Sequence, residues 1–385
     1  MPALHAPQAL AIETLLQAKP LTAEAIQRFV QRNTFPIIEG SRATFIFIGE
    51  AEEVHLRHWI YALASSPKFT RVEDTDLWYF TMELPYGSRV EYKIEVLRNG
   101  RSEWLRDPLN PFLANDPFGA NSVCQGQGYT LPTWIEPDPH ARPGQLQHFK
   151  LANTPLGDTR DVTLYLPARY RSTRRYPLLV VHDGGDYLNY ARMKTVLDNL
   201  IHSLEVAPMI VAFTYPKHRI DEYPDNPRHA AFITQQLVPF LEARFPLYGQ
   251  PSMRCLMGAS FGGVASLSTA WRAPKFFGKL FLQSGSFAFT DIGDHKRGPA
   301  FDPVVRFMNA FRAAPGKPSE SVFMTCGTYE SLIYENRSML PLLRDTGMKV
   351  RYVEVPDGHN WENWRDRMRE GLSWLFPGPL WMVYE

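Results

Sequence analysis

At 385 residues the chain is long enough for two domains, and 44% hydrophobic with 21% charged residues is a soluble composition with ample core. A net charge of +1, from 41 basic and 40 acidic residues, provides no field to draw nucleic acid or an anionic membrane. Three cysteines, Cys124, Cys255 and Cys326, make no disulfide framework; together with the lack of a signal-peptide pattern or of ~18 uninterrupted apolar residues, they lead to the expectation of a cytoplasmic enzyme with no membrane span.

Residues 1–34 read as an N-terminal helical segment, in which "TAEAIQRFVQRN" has Thr22 placed as an N-cap. From "RATFIFIG" the texture changes. "VHLRHWI", "LWYFTMEL" and "RVEYKIEVL" are short and rich in β-branched and aromatic residues, with turn residues "PYGS" and "RNG" between them. The spacing predicts an antiparallel, immunoglobulin-like β-sandwich over 35–130. Its closing stretch, "RDPLNPFLANDPFGANSV", is dense in Pro, Asn and Asp and reads as an ordered loop. Residues 131–146, with four prolines in "LPTWIEPDPHARPG", read as a linker.

Over 147–385 strands and helices alternate. "DVTLYLP", "YPLLVVHDGG", "PMIVAFTYP", "RCLMGAS", "KLFLQSG", "SVFMTCGT" and "KVRYVEV" are strands. "MKTVLDNLIHSLE", "HAAFITQQLVPFLEARF", residues 261–272, "VVRFMNAFR", "NRSMLPLLRDTG" and "WENWRDRMREGLSWLF" are helices. Apolar runs alternating with helical periodicity predict an α/β domain with a mostly parallel sheet covered on both faces.

Within this domain "MGASFGG" places Ser260 between Gly258 and Gly262 at a strand-to-helix junction. That is where G-x-S-x-G forms a nucleophile elbow: glycines two residues before and after the serine let the chain cross itself, and the hydroxyl stands clear above the sheet edge. A serine nucleophile needs a base, and the base an orienting acid, in the chain order Ser, acid, His for this fold class. Two histidines follow Ser260. His295 lies in the polar loop "DIGDHKRGP" and reads as solvated. His359, in "VPDGHNWENW", follows a strand and precedes the last helix, which puts it at the carboxyl edge of the sheet with the elbow.

For the acid, Glu330 lies three residues past Gly327 at the end of the preceding strand. Asp357, two residues before the histidine, and Glu335, one helical turn beyond Glu330, are its competitors. An oxyanion hole would use the amide of Phe261 and one from the loop after "LLVV", where Gly185 is chosen. Ser284 and Ser286, in "FLQSGSF", read as turn residues near the same edge. His55 and His58, three apart on a β segment, face opposite sides and make no metal pair.

With these pieces in place, the chain resembles the esterase D/enterochelin-esterase-like branch of the α/β-hydrolases. The stretches that carry the likeness are "LLVVHDGGDY", "FITQQLVPFLEARFP", "MGASFGGVASLSTAWRAPKFFGKLFLQSGSF", "CGTYESLI" and "GHNWENWRDRM". The family's tail is close to G-H-D-x-x-x-W-R, from which Asn360 departs; Glu330 fits the family's acid position. The N-terminal half is similar to the sandwich that precedes the catalytic domain of enterochelin esterases. The resemblance implies an α/β-hydrolase fold and cleavage of carboxylic esters by an acyl-enzyme on Ser260, with no cofactor and no metal. It also implies a small-molecule ester as partner, a siderophore, sugar or aryl ester among the choices, and with the near-neutral charge the expectation is of no nucleic acid and no membrane. Acyl transfer by the same residues, or glycan or partner binding on a hydrolase scaffold, are the rival functions.

Overall fold

A computed structural model of the chain describes residues 9–290 and 295–382. The first eight residues of the expected N-terminal helical segment lie outside the described residues. The fold divides into two compact units. One takes the chain up to Leu131 together with Thr328–Glu330 and Val355–Gly358; the other takes Pro132–Gly327, Ser331–Glu354 and the chain from His359 onward.

The first unit carries strands β1 (Ile37–Glu39), β2 (Arg42–Ile48), β3 (Glu53–His58), β4 (Thr70–Arg71), β5 (Leu77–Glu83), β6 (Arg89–Arg98), β7 (Arg101–Leu105), β8 (Leu113–Asp116) and β9 (Gly119–Gln125). They form two sheets, β1-β2-β5-β4 and β3-β6-β9-β8 with β7 on β6, and each strand pairing is antiparallel. Phe45, Phe47 and Trp78 from one sheet meet Leu56, Tyr92, Ile94 and Cys124 from the other in a single buried cluster.

On β2 the alternate residue Ile46 faces the other way, into a cluster with Ile12 and Ile26 of the helices Ala11–Leu16 and Ala23–Arg32. Both faces of β2 are therefore covered, which is why "RATFIFI" is an apolar run rather than an alternation. Thr22 caps the second helix, its Oγ1 accepting the N–H of Ala25 at 3.2 Å.

The expected loop at 106–123 is instead largely a hairpin, β8–β9. Its polar residues hide the strand pattern because they are buried through hydrogen bonds rather than exposed. Ser122 Oγ accepts the N–H of Asp107 at 2.8 Å, and Asn121 Nδ2 donates to Glu91 at 2.9 Å.

The second unit is built on an eight-stranded sheet: β10 (Gln145–Leu151), β11 (Arg160–Leu166), β12 (Leu178–Val181), β13 (Ile210–Thr214), β14 (Arg254–Ala259), β15 (Lys279–Gln283), β16 (Ser321–Gly327) and β17 (Lys349–Val355). The spatial order is β10-β11-β13-β12-β14-β15-β16-β17. β11 is antiparallel to both neighbours, while the pairings from β13 through β16 are parallel. This order, with its reversed second strand, is an α/β-hydrolase-like sheet.

Strand β12 shows why the strands read as continuous apolar runs. Leu178 and Val180 enter the core on one face, Leu179 and Val181 the core on the other, and none is more than 1% exposed. Residues 227–242 coil continuously, but Phe232–Leu237 is wound as a π-helix ahead of Pro239. The helical stretch after His359 breaks at Arg367 into Trp361–Asp366 and Met368–Leu375. The proline-rich stretch after 131 is anchored to this unit. Ile135 is buried in its core, and Asn199 Nδ2 donates to the carbonyls of Trp134 and Glu136 at 2.8 and 2.7 Å.

Candidate active site

Strand β14 is buried along its whole length and the helix Phe261–Arg272 begins one residue after it, so Ser260 alone makes the turn. Its backbone sits at φ 56°, ψ −122°, a conformation that costs a serine on the order of 1–3 kcal/mol and persists only where the surroundings impose it. The surroundings are close. A Cβ on Gly258 would overlap the carbonyl of Gly262. A Cβ on Gly262 would lie 3.1 Å from Asp183 Oδ2, and one on Gly263 3.2 Å from the Cα of Gly285. Three glycines thus let the elbow close on itself, on the loop after β12 and on the turn after β15.

The serine is held by its neighbours on that turn. Its N–H donates to the Gln283 carbonyl at 2.9 Å, and its own carbonyl accepts the N–H groups of Gly263 and Ser286 at 3.0 and 3.1 Å. Its Oγ lies 3.1 Å from Ser286 Oγ. The sequence reads Ser286 as a turn residue by default, with lining of the pocket as the alternative; the structure puts it beside the Ser260 hydroxyl. Its signal was position: "QSGS" ends the strand that pairs directly with β14. Phe261, 7% exposed, opens the helix, where an N–H has no acceptor within the helix itself.

The loop after β12 turns at Asp183, a left-handed residue with φ 54°, and runs straight into the short helix Gly184–Asn189. Gly185 is therefore in a first helical turn, and the glycines have a packing reason. A Cβ on Gly184 would come within 2.7 Å of the Phe213 Cα, and one on Gly185 within 2.9 Å of the Tyr215 ring. Asp183 is clasped by Arg219, which also donates to the carbonyl of Ala259, next to the serine, at 3.3 Å. The guanidinium lies over the rings of Phe261 and Tyr223, 5.6 and 5.4 Å from their centres. Sequence reading missed Arg219, because it opens the one-turn helix Arg219–Glu222 after β13, far from any motif.

His359 stands in the loop between β17 and the helix Trp361–Asp366, its ring edge-on to Trp364 at 5.0 Å. Asn360 caps this helix, its side chain accepting the N–H of Asn363 at 2.8 Å. Glu330 is 3% exposed beyond the end of β16.

The competing groups have partners of their own. Asp357 accepts Arg89 Nη1 at 3.3 Å and the N–H of Gly358 at 2.7 Å. Glu335 pairs with Arg297. His295, expected to be solvated, is largely covered and pairs with Asp302 at 2.7 Å. On β3, His55 is half-buried and His58 buried, in keeping with opposite faces.

Behind the elbow lies a pair that sequence reading passed over. His182 Nε2 is 2.9 Å from His229 Nε2, and His182 Nδ1 is 3.1 Å from Ser266 Oγ in the helix after the serine. Burial pushes the His182 pKa down to about 4; burial, with His182 adding to it, holds His229 well below the ordinary histidine range. Both rings are neutral at pH 7.

The sheet order and the serine turn define the class, an α/β-hydrolase-like fold. Residues 154–375 match the model of the esterase family described as "Putative esterase". The chain is 30% identical over 237 residues to the uncharacterized protein YjcH of Bacillus subtilis, covering 60% of this chain and 97% of that protein. It is 23% identical over 353 residues to the iron(III) enterobactin esterase of Escherichia coli O6:H1, covering 82% of this chain and 85% of the relative. The crystal structure of the enterobactin esterase from Shigella flexneri, solved in the presence of enterobactin, superposes with a TM-score of 0.70 at 20% identity, over 89% of this chain and 94% of that one.

The chain belongs to this esterase family and is a carboxylic ester hydrolase. Among the described residues no helix is long and apolar enough to cross a membrane.

Proposed function

We propose that the protein is a serine esterase in which Ser260 attacks the ester carbonyl, His359 takes and returns the proton, and Glu330 orients the imidazole. The amides of Phe261 and Gly185 take the developing oxyanion, an acyl-serine forms as the alcohol leaves, and water attacks with His359 again as base. No step calls on a metal or cofactor. The substrate class is a siderophore trilactone of the enterobactin type or an aryl or hydroxycinnamoyl ester. The all-β unit over 35–130 is read as an immunoglobulin-like sandwich preceding the catalytic domain, which starts near 147.

One observation carries the reading: Ser260 alone occupies the φ 56°, ψ −122° turn between β14 and its helix, where an unstrained residue would serve if only a connection were needed. The burial of Glu330, and the engagement of Asp357 with Arg89 and of Glu335 with Arg297, support the choice of acid.

The test is turnover of p-nitrophenyl butyrate, methyl ferulate and a catecholate trilactone by the purified chain and by Ser260→Ala. Hydrolysis that falls roughly 10³-fold or more in the variant is the expected result. Equal rates in the two proteins would end the assignment.

A further inference from the structure

Gln283 is fully buried at the carboxyl end of β15, between the strand that delivers the serine and the strand β16. A carboxamide there must find partners for both of its ends, since a buried donor or acceptor left without a hydrogen bond keeps its full desolvation penalty. It finds them on two separate elements. Its Oε1 accepts the hydroxyl of Tyr187 at 2.7 Å, and its Nε2 donates to the carbonyl of Trp364 at 2.8 Å. Its backbone carbonyl meanwhile accepts the N–H of Ser260.

Each contact ends on a segment with a role in the proposed chemistry. Tyr187 belongs to the short helix that contains Gly185. Trp364 belongs to the helix that follows His359, and its ring stands against that imidazole. The same side chains are tied a second way: the indole Nε1 of Trp364 donates to Ser284 Oγ at 2.9 Å, and Trp361 packs edge-on to both Tyr187 and Trp364 at 5.2 and 4.8 Å. Burial raises the Tyr187 hydroxyl well above its ordinary pKa, so it remains a donor throughout the working range.

We infer that Gln283 is a positioning residue whose side-chain amide sets the oxyanion loop and the segment that carries the base in one register, while its backbone carbonyl holds the nucleophile's N–H beside them. It touches none of the reacting atoms. Its effect is geometric, and misplacement of reacting groups by about 1 Å can cost on the order of 100-fold in rate. The amide also explains why hydrogen bonding rather than an apolar side chain ends this strand. An apolar residue would fill the space but leave the direction of the two neighbouring helices unset.

The inference rests on Ser260 being the nucleophile. The experiment compares wild type, Gln283→Met, Gln283→Glu, Tyr187→Phe and the Gln283→Met/Tyr187→Phe double variant on p-nitrophenyl butyrate. It follows kcat and KM, the rate of phosphonylation by a neutral p-nitrophenyl alkylphosphonate, and the melting temperature.

Gln283→Met is expected to lose 10- to 100-fold in kcat with KM within threefold, and to lose phosphonylation rate in the same proportion. Tyr187→Phe is expected to lose about fivefold, the worth of one neutral hydrogen bond. The double variant should be no slower than Gln283→Met, because both act through one amide. Gln283→Glu, which keeps the acceptor for Tyr187, should fall between wild type and Gln283→Met.

A folded Gln283→Met within twofold of wild type overturns the inference. So does a melting temperature that falls while the phosphonylation rate of the folded fraction stays unchanged. If Gln283→Met does not fold, Tyr187→Phe decides alone, and an unchanged kcat there overturns it. Failure of the nucleophile assignment shows separately, as wild-type activity that survives Ser260→Ala.

Discussion

Arg219 clasps the carboxylate of Asp183 through Nε at 2.9 Å and Nη2 at 3.0 Å, and the aspartate side chain is only 2% exposed. The pair fixes the left-handed turn after β12 at the point where it passes the serine elbow. Removing the cation leaves a buried carboxylate without its partner, a loss of about 3 kcal/mol, at the low end for buried pairs because Arg219 itself is one-third exposed. Arg219→Met should therefore lower the melting temperature and kcat together. The double variant Arg219→Met/Asp183→Asn should recover much of the stability but less of the rate. Stability unchanged in Arg219→Met, by urea unfolding at pH 7, would show that the pair is not structural.

Glu330→Gln should reduce kcat by several hundredfold or more, and by less than His359→Ala, because the acid orients and stabilises the base without taking the proton. Asp357→Asn should act mainly on stability, since its carboxylate is held by Arg89 and the Gly358 N–H. If Asp357→Asn slows turnover far more than Glu330→Gln in steady-state assays, the acid has been placed on the wrong residue.

Ser286→Ala should cost about fivefold in kcat and leave KM near its original value. The variant removes the hydroxyl 3.1 Å from Ser260 Oγ, while the Ser286 N–H to the Ser260 carbonyl is kept. A rate loss near that of Ser260→Ala would instead make Ser286 part of the proton path.

The His182–His229 pair gives the fold a specific acid sensitivity. Both folded-state pKa values lie below the ordinary 6.5, His182 at about 4. As pH falls through 6.5 the unfolded chain takes up protons that the folded chain refuses, so this stability is complete above about pH 6.5 and drains away toward pH 4. With both rings contributing, the slope reaches about 2.7 kcal/mol per pH unit. Urea midpoints measured between pH 7 and 5 should fall steeply in wild type and less steeply in His229→Gln. A flat wild-type profile over that range would contradict the neutral pair.

Much of this molecule is legible along the chain because local patterns and tertiary needs coincide. Apolar runs such as "LLVV" are strands covered on both faces, and β12 is buried as that pattern demands. "MGASFGG" announces a tight turn, and Ser260 makes it, because glycines at those offsets have few other uses between a buried strand and a helix. Where polar residues are buried by hydrogen bonds, the pattern misleads: 106–123 reads as loop and folds largely as the β8–β9 hairpin.

What surrounds the serine belongs to the tertiary structure alone. Arg219, Ser286, Gln283, His182 and His229 come from loops, strand ends and helices separated by long stretches of sequence. The sheet order brings them to the elbow by placing β13 and β15 on either side of the β12–β14 pair. A hydrogen bond or ion pair carries no periodicity and no fixed spacing. Its partners are settled only when the strands have found their order, and that order depends on which faces are buried rather than on which residues are adjacent in the chain.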